Sequence, residues 1–146
     1  MGHTNNSIII NAPYDLVFDI SNDIPRWTEL FGKEYQKAEV VEKKDNKITF
    51  RLTDEDNKSW VSWRLLFKDK YFAYAQRHEP LFPFKYMKII WLYTPKPEGV
   101  EMAWIQHFKM DEKAKFNDAQ VEGFINEGSQ ANLKIFKEII EKEAKS

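Results

Sequence analysis

The sequence predicts an α+β fold: a curved antiparallel sheet of about seven strands, with its helices on one face and one long helix at the C-terminal end. Three observations predict it. A short apolar run near the N-terminus is followed at once by helix signals. The middle of the chain, from Ala38 to Met110, is a succession of strand-like runs separated by turn clusters. The last stretch, from about Asn117 to Lys145, has no proline and changes to helical periodicity. At 146 residues the chain has the size of one domain, taken as 1–146, with no internal repeat or linker.

Taken in order, "NNSIIINAP" predicts a first strand from Ser7 to Asn11. Pro13 stands where a helix can begin, and Leu16, Val17 and Ile20 share one face of it. "NDIPRWTELF" continues as short helical turns, with Pro25 expected to interrupt the first helix. Six strands follow: Ala38–Lys43, Lys47–Leu52, Lys58–Phe67, Tyr71–His78, Tyr86–Tyr93 and Gly99–Met110. The clusters "KKDNK", "DEDNK", "FKDK", "EPLFPF" and "PKPEG" punctuate them. Asp111 to Phe116 leads into the final helix, whose apolar positions are Val121, Phe124, Ile125, Ile135, Phe136 and Ile139. One helix covers only part of a curved sheet. The space left over is either filled by aromatic side chains or open as a cavity.

Aromatic residues make up 15% of the chain, including five Trp, six Tyr and eleven Phe. Such side chains fill cores and also line pockets for flat ligands, and composition does not choose between the two. Basic and acidic residues number 22 and 23, so the chain carries no electrostatic footprint for nucleic acid or an anionic membrane. Without cysteine there is no disulfide, thiolate nucleophile or Cys-based metal site. His3, His78 and His107 show no ligand spacing, and no run has transmembrane length. With no signal peptide pattern, a cytoplasmic protein that binds neither nucleic acid nor membrane is expected.

The run "SWVSWR" carries the sharpest question. Alternation puts Trp60, Ser62 and Arg64 on one face and Val61, Trp63 and Leu65 on the other. Taken alone, a strand arginine is most often at the surface or salt-bridged. The alternative is that Arg64 points into a cavity.

The strings "NSIIINAPYDLVFDISNDIPRWTELF", "PFKYMKIIWLY", "EMAWIQHFKM" and "QANLKIFKEIIE", spread from Asn5 to Glu141, resemble the aromatase/cyclases of bacterial type II polyketide synthesis. The likeness is to the single-domain tetracenomycin type and its spore-pigment relatives. These are helix-grip proteins of the START (Bet v 1-like) polyketide cyclase superfamily. The resemblance implies a cavity between sheet and long helix in which a poly-β-ketone, delivered on an acyl carrier protein, undergoes first-ring aldol closure and dehydrative aromatisation. It implies no metal or organic cofactor, and partners that include the carrier protein, with ketosynthase and ketoreductase contacts also open.

Carried over residue by residue, the resemblance turns Trp60, Ser62 and Arg64 toward the cavity, with Arg64 stabilising oxyanions and Tyr35 and Ser62 helping to relay protons. Trp27, Phe31, Trp60, Met87, Trp91 and Trp104 match apolar pocket positions. Arg77 matches a position near the pocket, although His78 and Glu79 beside it leave a plain ion pair open. Tyr35 is read equally as a pocket or a surface tyrosine. Gln106 is a candidate hydrogen-bond donor that Asn132 of the long helix could meet. A different class of function fits the same cavity: a non-catalytic carrier of a quinone, lipid or other apolar molecule.

Overall fold

The computed structural model describes residues 1–146. Its strands are β1 (Gly2–Ile10), β2 (Tyr35–Lys44), β3 (Lys47–Asp54), β4 (Ser59–Phe67), β5 (Phe72–Arg77), β6 (Phe84–Lys96) and β7 (Gly99–Met110). They form one antiparallel sheet in the spatial order β1-β7-β6-β5-β4-β3-β2. Helix α1 (Tyr14–Ser21), a 3₁₀ turn (Ile24–Arg26) and helix α2 (Trp27–Leu30) lie between β1 and β2, and helix α3 (Asp118–Ala144) ends the fold. No helix is long and apolar enough to cross a membrane.

Several boundaries differ from those the sequence predicts. Strand β1 starts at Gly2, ahead of the predicted Ser7. Its buried positions there are Gly2, Thr4 and Asn6, the last two held by polar partners: Thr4 Oγ1 donates to Gln106 Oε1, Asn6 Nδ2 donates to Asn126 Oδ1 at 2.9 Å and Asn6 Oδ1 accepts from Gln130 Nε2 at 2.9 Å. Strand β2 starts at Tyr35, where a register shift between Tyr35 and Lys37 admits extra residues to the ladder. Strand β6 runs through Pro95, which pairs with Val100. Its turn into β7 uses Gly99 at φ 142°, where an added Cβ would lie 2.1 Å from the Ile10 carbonyl oxygen. Pro25 does not interrupt α1. That helix has already ended at Asn22, whose amide closes onto Phe18 O, and Pro25 sits in the 3₁₀ turn.

Helix α3 begins with a reciprocal cap. Asn117 Oδ1 accepts from Gln120 N at 2.9 Å, and Gln120 Oε1 accepts from Asn117 N at 3.0 Å. The helix then runs along β1, accepting from His3 N on Glu122 at 2.8 Å and from Asn11 N on Glu141 at 2.8 Å. Leu133, Phe136 and Ile140 are fully buried, while Phe124, one of the predicted core positions, is 53% exposed and packs edge-on against Phe116. The core is therefore concentrated at one end, where these three meet Ile10, Val17, Leu30 and Met102. Each fully buried aliphatic or aromatic side chain contributes about 1.5–3 kcal/mol there.

Candidate active site

At the other end α3 stands away from the sheet, and a cavity of about 500 Å³ opens between them. The helix brings Gly128 and Ser129 to this space, and a Cβ added to Gly128 would meet nothing within 4 Å. Gly128 and Ser129 add little bulk to a lining that α3 also builds from Val121, Phe124, Ile125 and Asn132. Seventeen of the 27 lining residues are hydrophobic, so the few polar groups on the lining dominate its chemistry.

Arg64 is the foremost of these. Alternation along β4 turns Ser62 and Arg64 inward, and both are buried, Arg64 to 2% exposure. No carboxylate pairs with it: none of the ion pairs in the chain includes Arg64. Its Nε donates to Asn22 Oδ1 at 3.2 Å, and its Nη2 has no partner in the protein. The guanidinium lies over the Trp91 ring at 4.2 Å and the Trp27 ring at 5.2 Å. Burial pulls its pKa down to about 10, partly opposed by Tyr93 and Tyr35, so it remains a cation at neutral pH.

The aromatic walls are ordered around this cation. Trp91 and Trp104 stack at 4.7 Å across β6 and β7, and Phe31 lies 5.6 Å from Trp104. The Trp104 indole nitrogen is the only other buried side-chain nitrogen or oxygen without a partner. Both orphan donors therefore belong to residues of the cavity lining. Trp27 is fixed by donating from Nε1 to Ser21 O at 3.0 Å.

Tyr35, left between pocket and surface by the sequence, lines the cavity, its ring 5.3 Å from Phe31 and 6.2 Å from Trp60. Burial, with the Glu34 carboxylate nearby, raises its phenol well above the usual range. Arg77 makes no ion pair with Glu79. Its guanidinium sits 5.3 Å from both the Trp60 and Phe84 rings, and burial lowers its pKa. Met87 and Gln106 are diagonal neighbours on β6 and β7, with Gln106 Nε2 3.8 Å from Met87 Sδ and Gln106 Oε1 accepting from Thr4 at 3.4 Å.

One expectation needs correcting. Asn132 does not meet Gln106; it donates instead to Glu34 Oε1 at 3.3 Å, because the helix places it over the β2 side of the cavity. His3 and His107 are cross-strand partners with ring centroids 4.6 Å apart, since β1 and β7 are neighbours. No third His, Cys, Asp or Glu joins them in a metal-holding group. Trp63 faces outward, covered by Lys47 at 5.2 Å and Tyr74 at 5.7 Å.

Sequence reasoning missed Glu34, the one carboxylate on the lining, and the pair Asn22 and Tyr93 behind Arg64. Adjacency to Tyr35 was a usable signal for Glu34. Nothing in the sequence pointed to Asn22 as a partner of a residue 42 positions away.

The family model for polyketide cyclase/dehydrase and lipid transport proteins matches residues 1–141. The chain belongs to this family. A relative from Streptomyces cyaneus, provisionally named a polyketide cyclase, is 43% identical over 96% of this chain and 94% of its own length. Among solved structures, the Zhui aromatase/cyclase from Streptomyces sp. R1128 superposes with a TM-score of 0.83 at 17% identity, over 96% of this chain and 93% of that one. The di-domain aromatase/cyclase BexL of the BE-7585A biosynthetic pathway gives 0.79 at 18% identity, covering 94% of this chain and 46% of that one. At such identities the structural likeness speaks for the fold, the helix-grip fold of START and Bet v 1-like proteins.

Proposed function

We propose that this family member is an aromatase/cyclase that closes the first ring of a carrier-bound poly-β-ketone by an aldol reaction and drives the dehydration that aromatises it. The observation that carries this reading is Arg64: a buried cation without a protein counter-ion, framed by tryptophan faces, with an unused donor. A methylene between two carbonyls is already acidic, so the largest task is to hold one folding of a flexible chain. The aromatic walls supply that shape. The methylene carbon forms a bond to a ketone carbon, the ketone oxygen takes the electron pair and a proton, and loss of water with enolisation gives the ring. No electrons are exchanged with an outside reagent, so this reading uses no cofactor.

Charge develops on enolate and alkoxide oxygens in these steps, and a fixed guanidinium in a low-dielectric cavity stabilises it. A group that stays charged until about pH 10 is a weak proton donor at neutral pH. Protons pass instead through Tyr35, Ser62 and solvent, with Glu34 beside Tyr35 as the acceptor of the methylene proton. The open end, with Arg77 and Phe84, admits a chain tethered to its carrier protein in the cytoplasm. The test is a reconstituted assay with a ketosynthase pair and carrier protein. Arg64→Ala, with its circular dichroism unchanged, is expected to divert product to spontaneously cyclised shunt compounds; an unaltered product profile rejects the role.

A second reading is favoured by the mostly apolar lining and by the lipid transport that the family description includes. There the chain carries a quinone or lipid without altering it. Mass spectrometry of the organic extract of purified protein separates the two: a stoichiometric lipid or quinone favours the carrier.

A further inference from the structure

Arg64 owes its orientation to a residue that touches nothing in the cavity. Asn22 is buried at the C-terminal end of α1. Its Nδ2 donates to Phe18 O at 2.9 Å and to Tyr93 Oη at 3.0 Å, so both amide protons are spent and Oδ1 is left to face the guanidinium. Tyr93 Oη, accepting from Asn22, turns its own proton to Ser21 Oγ at 2.8 Å, and Ser21 passes on to Phe18 O at 3.2 Å. The chain of bonds runs one way and ends on a backbone carbonyl. Reversing the Asn22 amide would set its NH₂ against the Arg64 Nε–H and break both of its donated bonds.

The partner chosen is neutral. Buried arginines are ordinarily matched by a carboxylate, which fixes their position and cancels their charge together. Asn22 does the first without the second. Held at Nε, the guanidinium keeps its Nη nitrogens free of protein anions; Nη2 is itself covered, and it makes no hydrogen bond within the chain.

We propose that Asn22, locked by Tyr93 and Ser21, is a positioning residue that clamps Arg64 by its Nε and keeps its charge uncancelled, so that the Nη edge forms an anion subsite for an enolate or carboxylate on a flat ligand. The inference deepens the functional reading above and rests on Arg64 as its charge-stabilising group. Its test therefore measures binding and needs no turnover.

The probes are 2-naphthoate and its neutral isostere 2-naphthamide, titrated against tryptophan fluorescence. Wild-type protein is expected to bind the anion about tenfold more tightly than the amide. Asn22→Ala is expected to weaken naphthoate by about five- to tenfold and leave naphthamide within about twofold, because a freed guanidinium no longer presents its edge. Asn22→Asp is expected to abolish the preference, since the new carboxylate neutralises Arg64. Tyr93→Phe, a gentler change that removes the hydroxyl bonded to Asn22 Nδ2 and to Ser21 Oγ but leaves Asn22 in place, is expected to reduce the preference by about two- to threefold. It keeps the test decisive if the Asn22 variants fail to fold.

A wild-type protein that binds both probes equally overturns the proposal. So do variants that retain the full preference or that weaken both probes alike, the mark of a merely structural role. A collapsed preference alongside an unchanged polyketide product profile upholds the clamp and rejects the cyclase reading of Arg64.

Discussion

The two halves of α3 face the same sheet and do opposite things. Its C-terminal half drives Leu133, Phe136 and Ile140 into contact with Ile10 and Met102, and all of these are fully buried. Its N-terminal half brings Gly128 and Ser129 over the sheet and leaves the cavity. The closed end is ordinary close packing, in which each side chain serves the fold. The open end holds a cation with no counter-ion and the only two unpartnered buried donors of the chain. The contrast teaches that stability and chemistry are segregated along one helix, and that the first sustains the local cost of the second.

The comparison is tested most severely at the closed end. Phe136→Ala, which removes a ring packed against Phe31, Trp91 and Trp104, is expected to cost about 3–5 kcal/mol in urea unfolding. Phe84→Ala at the open end, where the ring is only partly buried, is expected to cost about 1 kcal/mol. Equal losses from the two would erase the distinction.

A change of opposite sign comes next. Arg64→Met is expected to stabilise the fold by about 2 kcal/mol while abolishing directed cyclisation, because it removes an uncompensated buried charge. The gain has a defined pH window. Burial lowers the folded-state pKa to about 10, below its value in the unfolded chain, so the unfolded chain holds the proton more tightly and the penalty is complete below about pH 10. It is relieved only as pH rises above about 10. Melting curves of both proteins should therefore stay a constant distance apart between about pH 6 and 9. The smallest effect is that of Gly128→Ala. With open space around the new methyl group, the better helix former should add about 1 kcal/mol in urea unfolding.

Much of the fold was legible because its signals are local. The alternation in β4 separated Ser62 and Arg64 from Trp63, and the turn clusters marked most strand ends. The start of β1 was not legible, since its inward positions are Gly2, Thr4 and Asn6, which give no apolar period of two. Of the candidate site, every residue singled out from the sequence lies on the cavity wall, while the roles assigned to them remain proposals. What escaped was the polar machinery behind the wall. Asn22 reads as a helix-ending residue in any sequence, and its bond to Arg64 exists only because α1 ends beside β4.

The place of β1 in the sheet has a consequence for how the chain is made. This strand is an edge strand whose sole sheet neighbour is β7, and its other bonds are to α3. Made before the other strands of its sheet, it finds nothing there to pair with until β7 has followed. The hairpins from β2 to β7 close between sequence neighbours in the meantime, and loop closure favours them. The first strand of the sheet is thus among the last to settle, and the seam it completes is the one that brings the helix down over the sheet.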